Sequence, residues 1–339
     1  MNNMKLTPYI NNPILTKNDN PWESLCVLNP AVIYDDKTNE FIMLYRAAGK
    51  DDIMHHIYLG LAKSKDGFNF ERESNEPNFA PTINSEDEGC TEDPRLVKIG
   101  DWYYLIYASR PYAPGRYWLN EEKPWFNPPK EGPAFLKYNN SVTYLAITQD
   151  FITYKKLGRI TDTREDDRDV LIFPEQVNGS WVRFSRPLYN FKDYGLDKPG
   201  ILIAYSSDLM EWKNPKVFAK SVYPFESLKI GASCPPLKTK YGWLFIYHGV
   251  SEVDKMYRVG AMLLDLNNPE KIIARTKEPI LEPHKDELSM YSGCVFPTGN
   301  VIKDGILYVY YGINDKEIGV ATAPLDSFLE DLLKDKYEA

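Results

Sequence analysis

One pattern occurs five times along the 339 residues, and it restricts the fold more than any other feature. A short strand carrying a proline is followed by a polar turn, a strongly aromatic strand and a third strand. The copies open at NPAVIYDDKTNEFIMLYRA, EDPRLVKIGDWYYLIYASR, LIFPEQVNGSWVRFSRP, CPPLKTKYGWLFIYHGV and VFPTGNVIKDGILYVYYGIND. Their turns are Asp35-Asp36-Lys37, Gly100-Asp101, Asn178-Gly179, Lys240-Tyr241-Gly242 and Asp304-Gly305. Such residues supply the positive φ that tight hairpins need. The anchor prolines are Pro30, Pro94, Pro174, Pro235 and Pro297, spaced roughly 60–80 residues apart, so insertions separate the strands. Sheets of about four strands repeated around a channel make a propeller. The expectation is an all-β chain, a five-bladed β-propeller spanning 1–339 as one domain. A short C-terminal helix over about 325–337, apolar at Leu325, Phe328, Leu329, Leu332 and Leu333, is expected to pack on it.

The net charge of −8 and pI near 5.3 argue against nucleic acid or an anionic membrane as a partner, since both call for a basic face. The cysteines, Cys26, Cys90, Cys234 and Cys294, have no metal-ligand spacing, and the four histidines add no zinc pattern. Scattered buried thiols suit a reducing compartment. The N-terminal stretch has no apolar core of the signal-peptide kind, and no segment reaches membrane-span length. A cytoplasmic protein is expected, with no metal or organic cofactor, and homo-oligomerisation is left open. The insertion from Pro111 to Asn140 is rich in Pro, Trp, Tyr and Phe. It reads either as a loop packed on its own aromatics or as the rim of a binding site.

In a propeller the first strand of each blade lines the channel, so equivalent positions face one another. The aromatic strand ends in Tyr45-Arg46, Tyr107-Ala108-Ser109-Arg110, Phe184-Ser185-Arg186, Tyr247-His248 and Tyr311-Gly312. Four of the five copies thus place Arg or His at or just past one register, a basic ring suited to a small anion. The first strands contribute carboxylates: Glu92 and Asp93 before Pro94, Glu175 after Pro174, and the run Asp166-Asp167-Arg168-Asp169. Lys229 and Lys238 flank the fourth first strand. Carboxylates and cations in one funnel suit glycoside chemistry, where an acid protonates the leaving oxygen and a nucleophile attacks the anomeric carbon. The spacing of Glu92-Asp93-Pro94-Arg95 is equally compatible with a structural ion pair.

At these residues the chain resembles glycoside hydrolase family 130, the β-mannoside phosphorylases and mannosidases. The matching stretches include Asn29-Pro30-Ala31-Val32, Leu44-Tyr45-Arg46-Ala47, Glu92-Asp93-Pro94-Arg95, Ser185-Arg186-Pro187, Tyr247-His248-Gly249-Val250 and Gly319-Val320-Ala321-Thr322-Ala323, in order along nearly the whole chain. The resemblance implies a five-bladed propeller in which Asp93 is the general acid. It also implies that inorganic phosphate is the nucleophile of an inverting reaction. In some family members the proton passes through a hydroxyl of the bound mannose. Phosphate is expected on Arg110, Arg168, Lys238 and His248, with Lys229 and Arg186 as further anion ligands. Asn29, Arg46 and Asp315 are expected to bind the sugar. The chain departs from the family pattern at Ala232-Ser233-Cys234, before Pro235, and at His55-His56.

Three functions follow. The first is an inverting phosphorylase that cleaves a β-1,2- or β-1,4-linked mannobiose, manno-oligosaccharide or mannosyl-glucose with phosphate, giving α-mannose 1-phosphate. The second is an inverting β-1,2-mannosidase, which needs a second carboxylate as base, Glu175 or Glu226, about 6.5–9.5 Å from the acid. The third is a sugar-binding propeller without catalysis. The basic ring favours the first, because a hydrolase has no phosphate to neutralise.

Overall fold

The computed structural model describes residues 4–115, 129–283 and 293–337. Its strands form five sheets, each following the same path. Blade 1 comprises β2 (Cys26–Asp35), β3 (Glu40–Ala48), β4 (Ile57–Ser64) and β5 (Glu71–Arg72). Blade 2 comprises β6 (Glu92–Ile99), β7 (Trp102–Ser109), β8 (Val142–Thr148) and β9 (Lys155–Arg159). Blade 3 comprises β10 (Asp167–Ile172), β11 (Trp181–Pro187), β12 (Ile201–Ser206) and β13 (Lys213–Ala219). In blade 4 the inner strand is broken into β14 (Lys229–Ala232) and β15 (Leu237–Thr239). Both pair with β16 (Gly242–Val250), which leads to β17 (Tyr257–Leu264) and β18 (Ile272–Arg275). Blade 5 comprises β19 (Val295–Lys303), β20 (Ile306–Ile313) and β21 (Glu317–Pro324). Its outermost strand is β1 (Thr7–Pro8), which pairs antiparallel with β21 and closes the ring. The five blades agree with the repeat in the sequence.

The apolar alternation of the strands is satisfied between blades. Ile42 and Leu44 of blade 1 belong to one buried cluster with Leu105 and Tyr107 of blade 2. Val97 and Ile106 meet Val170 and Ile172 across the next junction. Phe173 and Phe184 of blade 3 pack with Trp243 and Phe245 of blade 4. Leu244 and Leu263 pack with Leu307 and Val309 of blade 5, and Met43 and Tyr45 with Tyr310 and Val320 close the circle. The α-helix Leu325–Leu332 buries Phe328, Leu329 and Leu332 in the junction between blades 4 and 5. It is shorter than the stretch expected. After a turn, Lys336 makes a β-bridge with Ala274, and the Tyr337 amide donates to the Ile273 carbonyl, so the chain extends along β18 instead of continuing the helix. No helix among the described residues is long and apolar enough to cross a membrane.

A buried polar strut recurs where the chain enters blades 1, 2 and 4. Glu23 accepts hydrogen bonds from the Tyr45 hydroxyl at 3.0 Å and from Arg72 Nε at 2.9 Å. Asp87 accepts from the Tyr107 hydroxyl at 2.9 Å and pairs with Lys156 at 2.6 Å. Glu226 pairs with Arg275 at 2.6 Å, and Arg275 Nε donates to the Tyr247 hydroxyl at 3.3 Å. The tyrosine lies over a glycine of the next strand in two of these blades. A Cβ at Gly60 or Gly260 would collide with the ring of Tyr45 or Tyr247.

Breaking one such pair leaves a buried charge without its partner, which costs about 3–5 kcal/mol. Arg275→Leu is therefore expected to destabilise the protein by that order in urea unfolding. Replacing Glu226 and Arg275 together by Gln and Leu is expected to cost less than Arg275→Leu alone. A double variant as unstable as the single one would show that the ion pair is not the source.

Candidate active site

Three inner strands carry the same local distortion. The pairing of β2 with β3 shifts register between Leu28 and Ala31, that of β6 with β7 between Glu92 and Arg95, and that of β10 with β11 between Arg168 and Leu171. Within each bulge one residue is left-handed: Asn29 (φ 47°), Asp93 (φ 48°) and Asp169 (φ 55°). Asn and Asp tolerate this region far better than other side chains with a Cβ. A bulge bends the strand and re-aims a side chain. Here it aims three polar side chains from adjacent blades at one cavity.

That cavity, about 340 Å³, opens at the funnel and is lined by Asn29, Asp93, Asp169 and Asp315, with Arg46, Arg110, Arg168, Arg186 and Lys229 among the rest of its wall. It carries five cationic side chains against four carboxylates, counting Glu92, in a chain of net charge −8. Asp93 Oδ1 accepts from Asn29 Nδ2 at 2.8 Å and from Arg46 Nη1 at 2.9 Å. Both bonds fall on Oδ1. Gly312 occupies the Arg46 register in blade 5, where a Cβ would collide with Asn29 Oδ1. Glu92 sits behind Asp93, 3.1 Å from Arg46 Nη1 and 3.2 Å from Arg110 Nε. Burial works against its ionisation, but the two guanidinium groups outweigh it and hold the carboxyl well below the usual range.

The opposite wall is cationic. Arg186 Nε donates to Asp169 Oδ2 at 2.6 Å, while its buried Nη1 has no hydrogen-bond partner. Burial opposes ionisation of Asp169, and Arg186 more than offsets it, so this carboxyl stays charged. Arg168 bonds through Nη2 to Asp166 at 3.2 Å. Lys229 makes no ion pair with a described residue, and its ammonium lies 5.1 Å from the Tyr257 ring centroid. Burial, and then repulsion from Arg186, lower it to about 8. Asp315 is pushed the other way, up to about 6, by burial and then by Asp93 and Glu92 against the pull of Arg46.

The cavity therefore brings together Asp93, Arg110, Arg168, Asn29, Arg46 and Asp315, with Lys229 and Arg186. Two expected anion ligands are placed differently. Lys238 lies on β15 at the hairpin end of blade 4, outside the cavity, in an exposed ion pair with Glu175. His248 is fully buried, with Nδ1 3.0 Å from Ser233 Oγ and Nε2 3.6 Å from Asp169 Oδ2. Burial lowers it to about 3, so it is neutral near pH 7 and adds no positive charge. The two carboxylates considered as a hydrolytic base are also elsewhere: Glu175 is exposed beside Lys238, and Glu226 is locked in its strut with Arg275. Sequence reasoning named Asp169 among the funnel carboxylates without a role of its own, although its place within the bulge matches that of Asn29 and Asp93, and it did not find Tyr257 and Phe296, which also line the wall. Residues 116–128 of the aromatic insertion lie outside the described residues.

The sequence model of glycoside hydrolase family 130, described as beta-1,4-mannooligosaccharide phosphorylase, matches residues 4–334. A 1,2-beta-oligomannan phosphorylase of Thermoanaerobacter sp. (strain X514) is 36% identical over 329 residues, covering 94% of this chain and 97% of the relative. A beta-1,2-mannobiose phosphorylase of the same organism is 36% identical over 331 residues, covering 94% of this chain and 96% of the relative. Among solved structures, the beta-1,2-mannobiose phosphorylase from Listeria innocua superposes with a TM-score of 0.77 at 23% identity, over 97% of this chain and 99% of the other, and so shares the fold. With a family match over almost its full length and relatives this similar, the chain belongs to glycoside hydrolase family 130.

Proposed function

We propose that this protein is an inverting phosphorylase that cleaves a β-mannoside with inorganic phosphate and releases α-mannose 1-phosphate. The observation that carries the reading is the division of the cavity. One wall offers a carboxyl, Asp93, with one oxygen uncommitted. The other offers Arg168, the unpartnered Nη1 of Arg186, and Lys229 with no carboxylate of its own. Neither Glu175 nor Glu226, the carboxylates considered as a hydrolytic base, lines the cavity, and of those that do, Glu92 and Asp169 are each paired with arginine. The names of the two relatives 36% identical support phosphorolysis, and they favour the β-1,2 linkage over β-1,4.

In this reading Asn29, Arg46 and Asp315 hold the sugar beside Asp93. Asp93 gives its proton to the glycosidic oxygen, directly or through a mannose hydroxyl. The bond from the anomeric carbon to that oxygen breaks. A phosphate oxygen held by Arg168, Arg186 and Lys229 bonds to the anomeric carbon from the opposite face, which inverts the configuration. Arg110 acts through Glu92, keeping that carboxylate charged behind Arg46. His248 takes the part of a neutral hydrogen-bonding group behind the anion wall and not that of a cation. Lys238 has no part.

The reading is tested by incubating the protein with β-1,2- and β-1,4-mannobiose, with and without phosphate. Mannose 1-phosphate is expected only with phosphate, and more from the β-1,2 sugar; equal release of free mannose without phosphate would falsify it. Asp93→Asn is expected to fold normally and to lower kcat by about 10²–10⁴-fold.

Lys229 gives a pH test. Its folded value of about 8 lies below the unfolded value of about 10.4, so the free protein loses this charge as pH rises through 8. The KM for phosphate is expected to rise above that pH. Lys229→Met is expected to raise that KM at least about tenfold at pH 7 and to flatten the pH limb. The unfolded chain binds the extra proton between these two values, so the stability cost of the native lysine is full below pH 8 and fades towards 10.4. The same variant should therefore melt higher than the wild type at pH 7. A variant with unchanged phosphate KM would remove Lys229 from the anion site.

A further inference from the structure

Behind the anion wall, His248 touches a residue that the proposed reaction leaves without a part. Ser233 follows β14, where the inner strand of blade 4 breaks. It is fully buried, and its Oγ lies 3.0 Å from Nδ1 of His248, which is fully buried as well. On the other side of the imidazole, Nε2 has no hydrogen-bond partner among the described residues and lies 3.6 Å from Asp169 Oδ2. The same Oδ2 accepts from Arg186 Nε at 2.6 Å, and Arg186 lines the cavity. A line of four side chains thus runs from Ser233 through His248 and Asp169 to Arg186, starting in blade 4 and ending at the cavity in blade 3.

The imidazole is clamped. Its centroid is 5.6 Å from that of Tyr257, with the two planes 28° apart, and 4.7 Å from that of Phe296. Gly231 is its register partner on β14, and a Cβ there would collide with both Asp169 Oδ2 and the His248 ring, so a glycine is what lets the ring and the carboxylate approach. With the ring fixed, the remaining variable is which nitrogen carries the proton. His248 is neutral near pH 7, so it has one N–H and one lone pair to place. Asp169 is charged and only accepts. A lone pair on Nε2 would set two acceptors against each other in a buried site, whereas a proton there turns a donor towards the carboxylate. Nδ1 must then accept, and the Ser233 hydroxyl, free to donate or accept, is the group that donates to it.

We infer that Ser233 is a positioning residue for phosphate: by donating to Nδ1 it fixes the Nε2–H tautomer of His248, which orients Asp169 and thereby holds Arg186 in place on the anion wall. The inference rests on the phosphorylase reading above. A serine that only filled space would change neither the tautomer nor one substrate's KM apart from the other's.

Two measurements on the full chain test it. In nitrogen-correlated NMR of isotope-labelled protein, the histidine signals lost in His248→Gln identify this ring. The wild type is expected to show a protonated Nε2 and an unprotonated Nδ1, and Ser233→Ala a mixture of the two tautomers. A wild type protonated at Nδ1 overturns the inference. In steady-state phosphorolysis of the preferred mannobiose, Ser233→Ala is expected to raise the KM for phosphate roughly 2–12-fold, the worth of one hydrogen bond, and to leave the KM for the mannoside unchanged. An unchanged phosphate KM overturns the inference, and so does an equal rise in both KM values, which would make Ser233 a support of the fold alone. Gln at position 248 carries its own amide donor and needs no tautomer fixed, so Ser233→Ala is expected to add nothing in the His248→Gln background. An effect that persists there would show that Ser233 does not act through the imidazole. Absence of phosphate-dependent turnover in the wild type removes the phosphorylase reading and this inference together, whereas turnover with a phosphate KM indifferent to Ser233 removes this inference alone.

Discussion

The site depends on a backbone distortion repeated in three neighbouring blades. A regular inner strand would alternate its side chains between the two faces of its own sheet, and none would project from the strand end into the channel. The extra residue in each bulge, held at positive φ, breaks that alternation at Asn29, Asp93 and Asp169. A side chain in this conformation costs something even for Asn or Asp, and such strain persists only where the surroundings over-determine it. The surroundings here are the partners the side chains meet: Asn29 and Arg46 on Asp93, and Arg186 on Asp169. The glycines fit the same logic. Gly312 and Gly231 stand where any Cβ would strike Asn29 or Asp169.

Beneath the site, the struts at Glu23, Asp87 and Glu226 fix how the chain enters three of the blades. Each ties a carboxylate from the entering segment to a tyrosine of the second strand and to a cation carried further out. The tyrosines lie one residue before the register of Arg46, Ala108 and His248. The position of a wall residue is therefore set by a buried hydrogen-bonded group next to it in sequence. Charges that face substrate and charges that hold the ring are kept apart, and Arg275 or Arg72 has no part in the cavity although each is an arginine on the same repeat.

Most of the architecture was legible because a propeller repeats itself, and hairpin turns such as Asn178-Gly179 and Asp304-Gly305 mark the frame directly. Much of the cavity's charge was legible because Arg46, Arg110 and Arg186 share a strand end, and all three line it. The failures trace to register. Pro30 and Pro94 follow the left-handed residue of their bulges, but in blade 3 that place belongs to Val170, four residues before Pro174. Taking Pro174 as the equivalent anchor put Glu175 forward as a possible base and left Asp169 as one carboxylate of the funnel without a role of its own. In blade 4 the inner strand breaks between Ala232 and Leu237, so Lys238, expected on the anion beside Lys229, lies at the far end of the blade. His248 shares the register of Arg46, but it is buried behind the wall and neutral, and burial is something repeat periodicity does not report.

The closing strand has a consequence for how the molecule is made. Thr7 and Pro8 are made before any of the five blades, yet their partners, Thr322 and Ala321, are made only after blades 1 to 4. Blades 1 to 4 can form local hairpins as they emerge, since their strands pair with sequence neighbours. The ring cannot close until blade 5 has been made. Until then β1 and the blade 1 side of the junction with blade 5 lack their partners, so the nascent chain carries an unpaired strand and an open apolar face while blades 2 to 4 are made. Closure is the contact of highest sequence separation in the fold, and by the loop-closure argument it is the slow one.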